Sequence, residues 1–118
     1  MNREQALHRF WSSFGIPAYD ESTVPDNAVM PYITYQVSAG LINQPVLATA
    51  SLWYRSNSWE EITLKAHEIS DGLNGHSINY DNGAILLYNG MPRYQRLQDE
   101  NDMIRRIFFN INYEFLER

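Results

Sequence analysis

Cysteine is absent from this 118-residue chain. Disulfides and thiolate metal centres are therefore excluded, and a fold made in a reducing compartment is the expectation. Positive charge is scarce: nine Lys and Arg stand against fourteen Asp and Glu, a net charge of −5. That balance lacks the electrostatic footprint of a general nucleic-acid binder and the basic face of a membrane-surface helix. No apolar run approaches the length needed to cross a bilayer, so no membrane partner is expected. The opening MNREQALHRF is polar with helical spacing, unlike a signal peptide. Low-complexity tracts, internal repeats and dividing linkers are missing too, and residues 1–118 read as one domain.

The motifs of common chemistries are also lacking. His8, His67 and His76 have no second ligand three or four residues away, so no zinc pair is expected. There is no G-x-S-x-G elbow, and Gly75-His76-Ser77 reads as a helix end and connector. Gly72 and Gly75 follow a helical segment, the wrong end for a phosphate loop. The carboxylates Asp20/Glu21 and Asp99/Glu100/Asp102 lie in polar turns, where water keeps acids ordinary. No catalytic residue, cofactor or metal site is expected.

Against these absences stand eight Tyr, five Phe and three Trp. Aromatics fill cores, and Tyr and Trp also favour interfaces. From Ile107 to Phe115 the odd positions are wholly apolar, while Phe108, Asn110, Asn112 and Glu114 alternate with them. Such period-two patterning predicts a long, central strand with one buried face. Ala6, Leu7, Phe10, Trp11 and Phe14 predict a helix over Asn2–Phe14, capped by Asn2 and stopped by Gly15 and Pro17. Tyr19–Asn27 reads as an exposed connector, followed by a strand over Ala28–Val37 whose Val29, Ile33, Tyr35 and Val37 share a face. Val46–Tyr54 alternates again, which makes a hairpin with its tip at Ser38–Pro45. Ser58 and Glu61 match a capping box for a second helix ending at Gly72 or Gly75. Asp81-Asn82-Gly83 marks a tight hairpin, Asn89–Pro92 a break, and Tyr94–Leu97 a short strand or a continuation. The expected fold is α+β: a twisted, mainly antiparallel sheet with two helices packed on one face.

Several large apolar groups fall outside the predicted core. Leu41, Ile42 and Leu47 surround the hairpin tip; Trp53, Trp59 and Phe108 lie off the buried faces. These point to an association surface or to a small second layer. Arg93, Arg96, Arg105 and Arg106 bracket Asp99, Glu100 and Asp102. They are read either as cross-strand ion pairs around a hairpin or as a charged rim for a partner. The candidate interface is thus Leu41, Ile42, Leu47, Trp53, Arg93, Arg96, Asp99, Glu100, Asp102 and Arg105.

The layout resembles the tail-terminator and tail-completion (head–tail joining) proteins of long-tailed bacteriophages and prophages. The resemblance is carried by Val24-Pro25 leading to Pro31-Tyr32-Ile33-Thr34-Tyr35, by Trp53-Tyr54, by the segment Ser58 to Leu73, and by the ending Ile111-Asn112-Tyr113-Glu114-Phe115. It implies a non-enzymatic virion protein, assembled in the bacterial host cytoplasm. Such a protein forms a homo-oligomeric ring, commonly a hexamer, that caps the tail tube. Its partners would be itself, the tail-tube protein and a head-connector protein. The sheet edges, the Gly40 hairpin tip and the arginine–acid rim would supply the ring contacts. The chain departs from that family in charge, since ring lumens are often strongly charged and no charged stripe is visible here. Two readings from other classes stand beside this one. One is a small ligand-binding or hydrolytic domain with an aromatic pocket near His67 or His76. The other is an interaction module that works by β-strand addition.

Overall fold

A computed structural model describes residues 1–37 and 44–117. Among them the chain runs α1 (Arg3–Ser12), β1 (Ala18–Asp20), β2 (Tyr32–Tyr35), β3 (Pro45–Arg55), α2 (Glu60–Gly72), β4 (His76–Tyr80), β5 (Gly83–Leu97) and β6 (Ile104–Glu117). The strands form one sheet in the order β1-β2-β3-β6-β5-β4. All neighbouring pairs are antiparallel except β1 with β2, which is parallel. The α+β architecture expected from the sequence is the one adopted, with a mixed rather than purely antiparallel sheet.

β6 is the central strand. Its Ile107, Phe109, Ile111, Tyr113 and Phe115 are buried. Register places Leu52, Ala50 and Ala48 of β3 opposite Ile107, Phe109 and Ile111, and Leu87 and Ile85 of β5 opposite Tyr113 and Phe115. Cross-strand partners share a face, so this side of the sheet is one continuous apolar surface. Both helices cover it. α1 buries Ala6, Leu7, Phe10 and Trp11, and α2 buries Ile62, Ala66 and Ile69. α2 is also tied to the turn after α1: Lys65 Nζ donates to the Phe14 carbonyl at 2.9 Å. α1 packs against β1 and β4, the two edge strands, so the sheet curls around it.

The local signals explain most of the elements. Asn2 caps α1 through a full capping box with Gln5. Gly15 follows with φ +84°, a backbone state that costs glycine little. The β4–β5 turn brings Tyr80 opposite Gly83. A Cβ on Gly83 would lie 1.9 Å from the Leu116 carbonyl oxygen, so only glycine fits there.

Four expectations need correction. Tyr19–Asn27 is not all connector, because Ala18–Asp20 pairs with β2. The strand expected at Ala28–Val37 is only Tyr32–Tyr35, preceded by a cis Met30–Pro31 bond, and Val29 is 77% exposed. A backbone occupied with the return from β1 cannot also pair in the sheet. The Ser58/Glu61 capping box does not form: Trp59 is the N-cap, no side chain caps it, and Ser58 Oγ accepts from the Glu60 amide at 3.1 Å. Asn89–Pro92 does not break the chain, since β5 runs through it. Leu41, Ile42 and Gly40 lie outside the described residues.

The most buried polar contact joins α1 to β6. Trp11 Nε1 donates to the Tyr113 hydroxyl at 3.2 Å, and the indole stacks on Tyr35 with centroids 6.2 Å apart. Burial pushes the Tyr113 hydroxyl above the ordinary tyrosine range. A raised value means that the fold prefers the neutral phenol. Its contribution is therefore full below the unfolded value of about 10 and is lost as pH rises beyond that. Tyr113→Phe leaves the Trp11 N–H buried without an acceptor. The expected loss at neutral pH is about 1–3 kcal/mol by chemical denaturation. The variant should also lose part of the alkaline decline in stability; an identical decline in both proteins would contradict the assignment.

Candidate functional site

Among the described residues the second face of the sheet carries no helix. Its β6 residues are Arg106, Phe108, Asn110, Asn112, Glu114 and Leu116. Register sets Trp53, Ser51, Thr49 and Leu47 of β3 opposite the first four of these, and Leu97, Gln95 and Tyr88 of β5 opposite Arg106, Phe108 and Asn112. Strand alternation alone aims these side chains away from the helices. Leu47 is 78% exposed and Tyr88 43%. Toward the Arg106 end the surface is aromatic and better ordered. Trp53 Nε1 donates to Thr34 Oγ1 at 3.0 Å. The Arg106 guanidinium lies 4.5 Å from the Trp53 centroid and donates through Nε to Ser51 Oγ at 3.1 Å. Arg106 thus covers aromatic surface while keeping its charge at the edge.

A large bulge projects beside Leu47. Pairing of β5 with β6 slips between Asn89↔Ile111 and Tyr94↔Phe109, so Gly90, Met91, Pro92 and Arg93 all stand opposite Asn110. Two local features hold this arrangement. A Cβ on Gly90 would sit 2.8 Å from the Asn110 Cβ, so the backbones approach at a distance only glycine allows. Asn110 Nδ2 then donates to the Pro92 carbonyl at 2.9 Å. Met91 stands at the crest, 93% exposed. Between the bulge and β3 lies a groove of about 450 Å³ lined by Leu47, Thr49, Met91, Asn110 and Asn112. Bulges re-aim side chains where a sheet meets something else.

The second cluster lies at the β5–β6 hairpin end. Trp59 is half-buried between two cations: the Arg96 guanidinium is 4.7 Å from its centroid and that of Arg105 is 5.3 Å away. Arg105 Nη2 donates to the Asn57 carbonyl at 3.0 Å, while its Nε is buried without a partner. Gln98, Asp99, Asp102 and Ile104 complete a cleft of about 510 Å³. Of the two readings of this rim, cross-strand ion pairing is not formed among the described residues. Among the described residues the ion pairs are Met1–Asp81, Arg3–Glu117 and Lys65–Glu68. The reason is local: Asp99 accepts from the Asn101 amide at 3.0 Å, stabilising its own turn, and the arginines lie on the indole.

Of the residues singled out from sequence, Arg96, Asp99, Asp102 and Arg105 therefore line one cleft. Leu47 and Trp53 lie on the open face, Arg93 on the bulge, and Glu100 exposed in the turn. Met91 and Tyr88 were missed. The string Asn89-Gly90-Met91-Pro92 reads as a chain break, and only its pairing with β6 shows that it is a protrusion.

The histidines are engaged separately. His8 Nδ1 is 3.1 Å from the Tyr35 hydroxyl, His67 packs on Tyr94 with centroids 5.9 Å apart, and His76 packs on Phe10 at 5.2 Å. Among the described residues no group of three His, Asp or Glu could hold a metal ion. No helix is long and apolar enough to cross a membrane among them. Burial raises the hydroxyl pKa of Tyr35 and Tyr54 as well, the direction that disfavours a phenolate.

No family model matches the chain, and no curated protein matches it in sequence. Among solved structures, a chain described as "Virion of native gene transfer agent (GTA) particle" superposes with a TM-score of 0.69. The match covers 94% of this chain and 92% of that one, at 16% identity. The two share a fold over nearly their whole lengths.

The bulge can be tested on its own. Gly90→Ala must push β5 off Asn110, and overpacking of this kind costs about 1–3 kcal/mol. Asn110→Ala, which removes only the bond to Pro92, should cost about 1 kcal/mol. Equal, negligible shifts in both variants on thermal melting would show that the crest is not held as described.

Proposed function

We propose that this chain is a structural component of a virion-type particle. It works as a homo-oligomeric ring that caps a tail tube and joins tail to head, without catalysis. Its neighbours would be further copies of itself, a tail-tube protein and a head-connector protein. The observation that carries this reading is the fold shared from end to end with a chain of a gene transfer agent virion. The sheet supports it independently. One face is sealed by both helices, while the other presents Leu47 and Met91 to solvent around a groove and Tyr88 opposite Asn112 beside it. Apolar groups gathered on a held surface, rather than scattered singly, are what an association face looks like. A ring requires two different patches that meet and close, and the open face is one of them.

The pocket-based reading has less behind it. His67 packs at a tilt against Tyr94, and His76 lines an open groove with Phe10 and Ile78. β-strand addition keeps one observation in its favour, because β4 is an edge strand of the sheet.

Light scattering and negative-stain imaging of the purified chain over a concentration series test the proposal. Closed rings are expected. Leu47→Asp combined with Met91→Asp should weaken assembly by about tenfold or more, since a carboxylate buried without a partner is costly. Both residues are exposed, so the melting temperature of the protomer should stay unchanged. A chain that remains monomeric at high concentration, with or without tail-tube protein, would contradict the reading.

A further inference from the structure

The charges are unevenly placed along the fold. Between Phe10 and Tyr54 the sequence holds no Lys, Arg or His, but it holds Asp20, Glu21 and Asp26. Asp20 ends β1 at one edge of the sheet, and Glu21 and Asp26 follow in the segment that returns to the start of β2. Glu21 and Asp26 are exposed, and Asp20 holds the turn by accepting from the Ser22 amide at 3.0 Å. Arg96 and Arg105 lie on β5 and β6, with β2 and β3 between them and β1. Among the described residues none of these acids is ion-paired with Arg96 or Arg105.

The cleft at Trp59 is built to receive acids. Two guanidiniums flank one indole without a carboxylate within ion-pair distance among the described residues. Arg96 is exposed and can offer its planar N–H edge to a carboxylate, while Arg105 Nη2 is held by the Asn57 carbonyl. Arg105 Nε is buried with no acceptor among the described residues, so the exposed Arg96 is the guanidinium that a partner can reach. Asp99 and Asp102 also line the cleft; Asp99 is engaged with the Asn101 amide, and Asp102 is exposed.

We propose that the acidic connector of one copy, through Glu21 and Asp26, docks into the Trp59–Arg96–Arg105 cleft of the next copy. The two patches differ, so the contact is heterologous and can propagate around a ring. It rests on the ring reading above and names the charged part of the ring's contact. Its role is orientation and register more than bulk affinity.

Charge reversal with complementation tests it. One variant carries Arg96→Glu and Arg105→Glu; the other carries Glu21→Arg and Asp26→Arg. Arg96→Glu alone serves if the double arginine variant melts early. Each variant by itself should associate about tenfold or more weakly than wild type by mass photometry. Mixed in equal amounts they should recover assembly, because each cleft then meets a connector of opposite charge. Wild-type rings that survive both reversals would overturn this contact while leaving the ring reading intact. Weakening by the arginine changes alone, with no rescue on mixing, would also overturn it by assigning the cleft to a different acidic surface. A wild-type chain that never assembles would overturn the ring reading itself.

Discussion

A strand in the middle of a sheet has two edges and two faces to satisfy, and β6 is that strand. Its edges are satisfied by β3 and β5. One face is satisfied by α1 and α2, which together cover Ile107 through Phe115. With both helices on that side, nothing in the described fold covers the other. The rest of the surface follows from this asymmetry. Arg106 lies across Trp53 and the edge of Phe108 because those rings have no helix above them. Leu47, Tyr88 and Met91 remain in water for the same reason.

The features legible in the sequence were those whose cause is local or periodic. The odd positions of β6, the stripe of α1, the Asn2 cap and the Asp81-Asn82-Gly83 turn each carry their instruction within a few residues. The misread features depend on contacts distant in sequence. β1 is three residues long and embedded in turn chemistry; it is a strand only because β2 lies beside it. The Gly90–Arg93 bulge looks like a break until Asn110 is seen to hold it. The arginine–acid rim was legible as a cluster, but its geometry was not. Whether a guanidinium meets a carboxylate or an indole depends on where Trp59 is placed, and the turn after β3 decides that.

The two candidate surfaces differ in kind. The open face is apolar and aromatic, suited to supply binding energy by excluding water. The Trp59 cleft and the connector past β1 are charged, suited to choose a partner and fix its angle. A protein that must close a ring needs both properties, since strong but unoriented association gives aggregates and oriented but weak association gives monomers. The fold is shared with a virion chain at 16% identity. Architecture can persist while contact residues drift with the partners they meet.

The central claim is that the open face is covered when the protein assembles. Hydroxyl-radical footprinting, comparing dilute protomer with assembled protein, reads this directly. Met91, Tyr88 and Leu47 should become protected on assembly, while Leu64 and His67 on the outer side of α2 keep their reactivity. An assembled form in which Met91 and Tyr88 remain as reactive as in the free protomer would contradict the account.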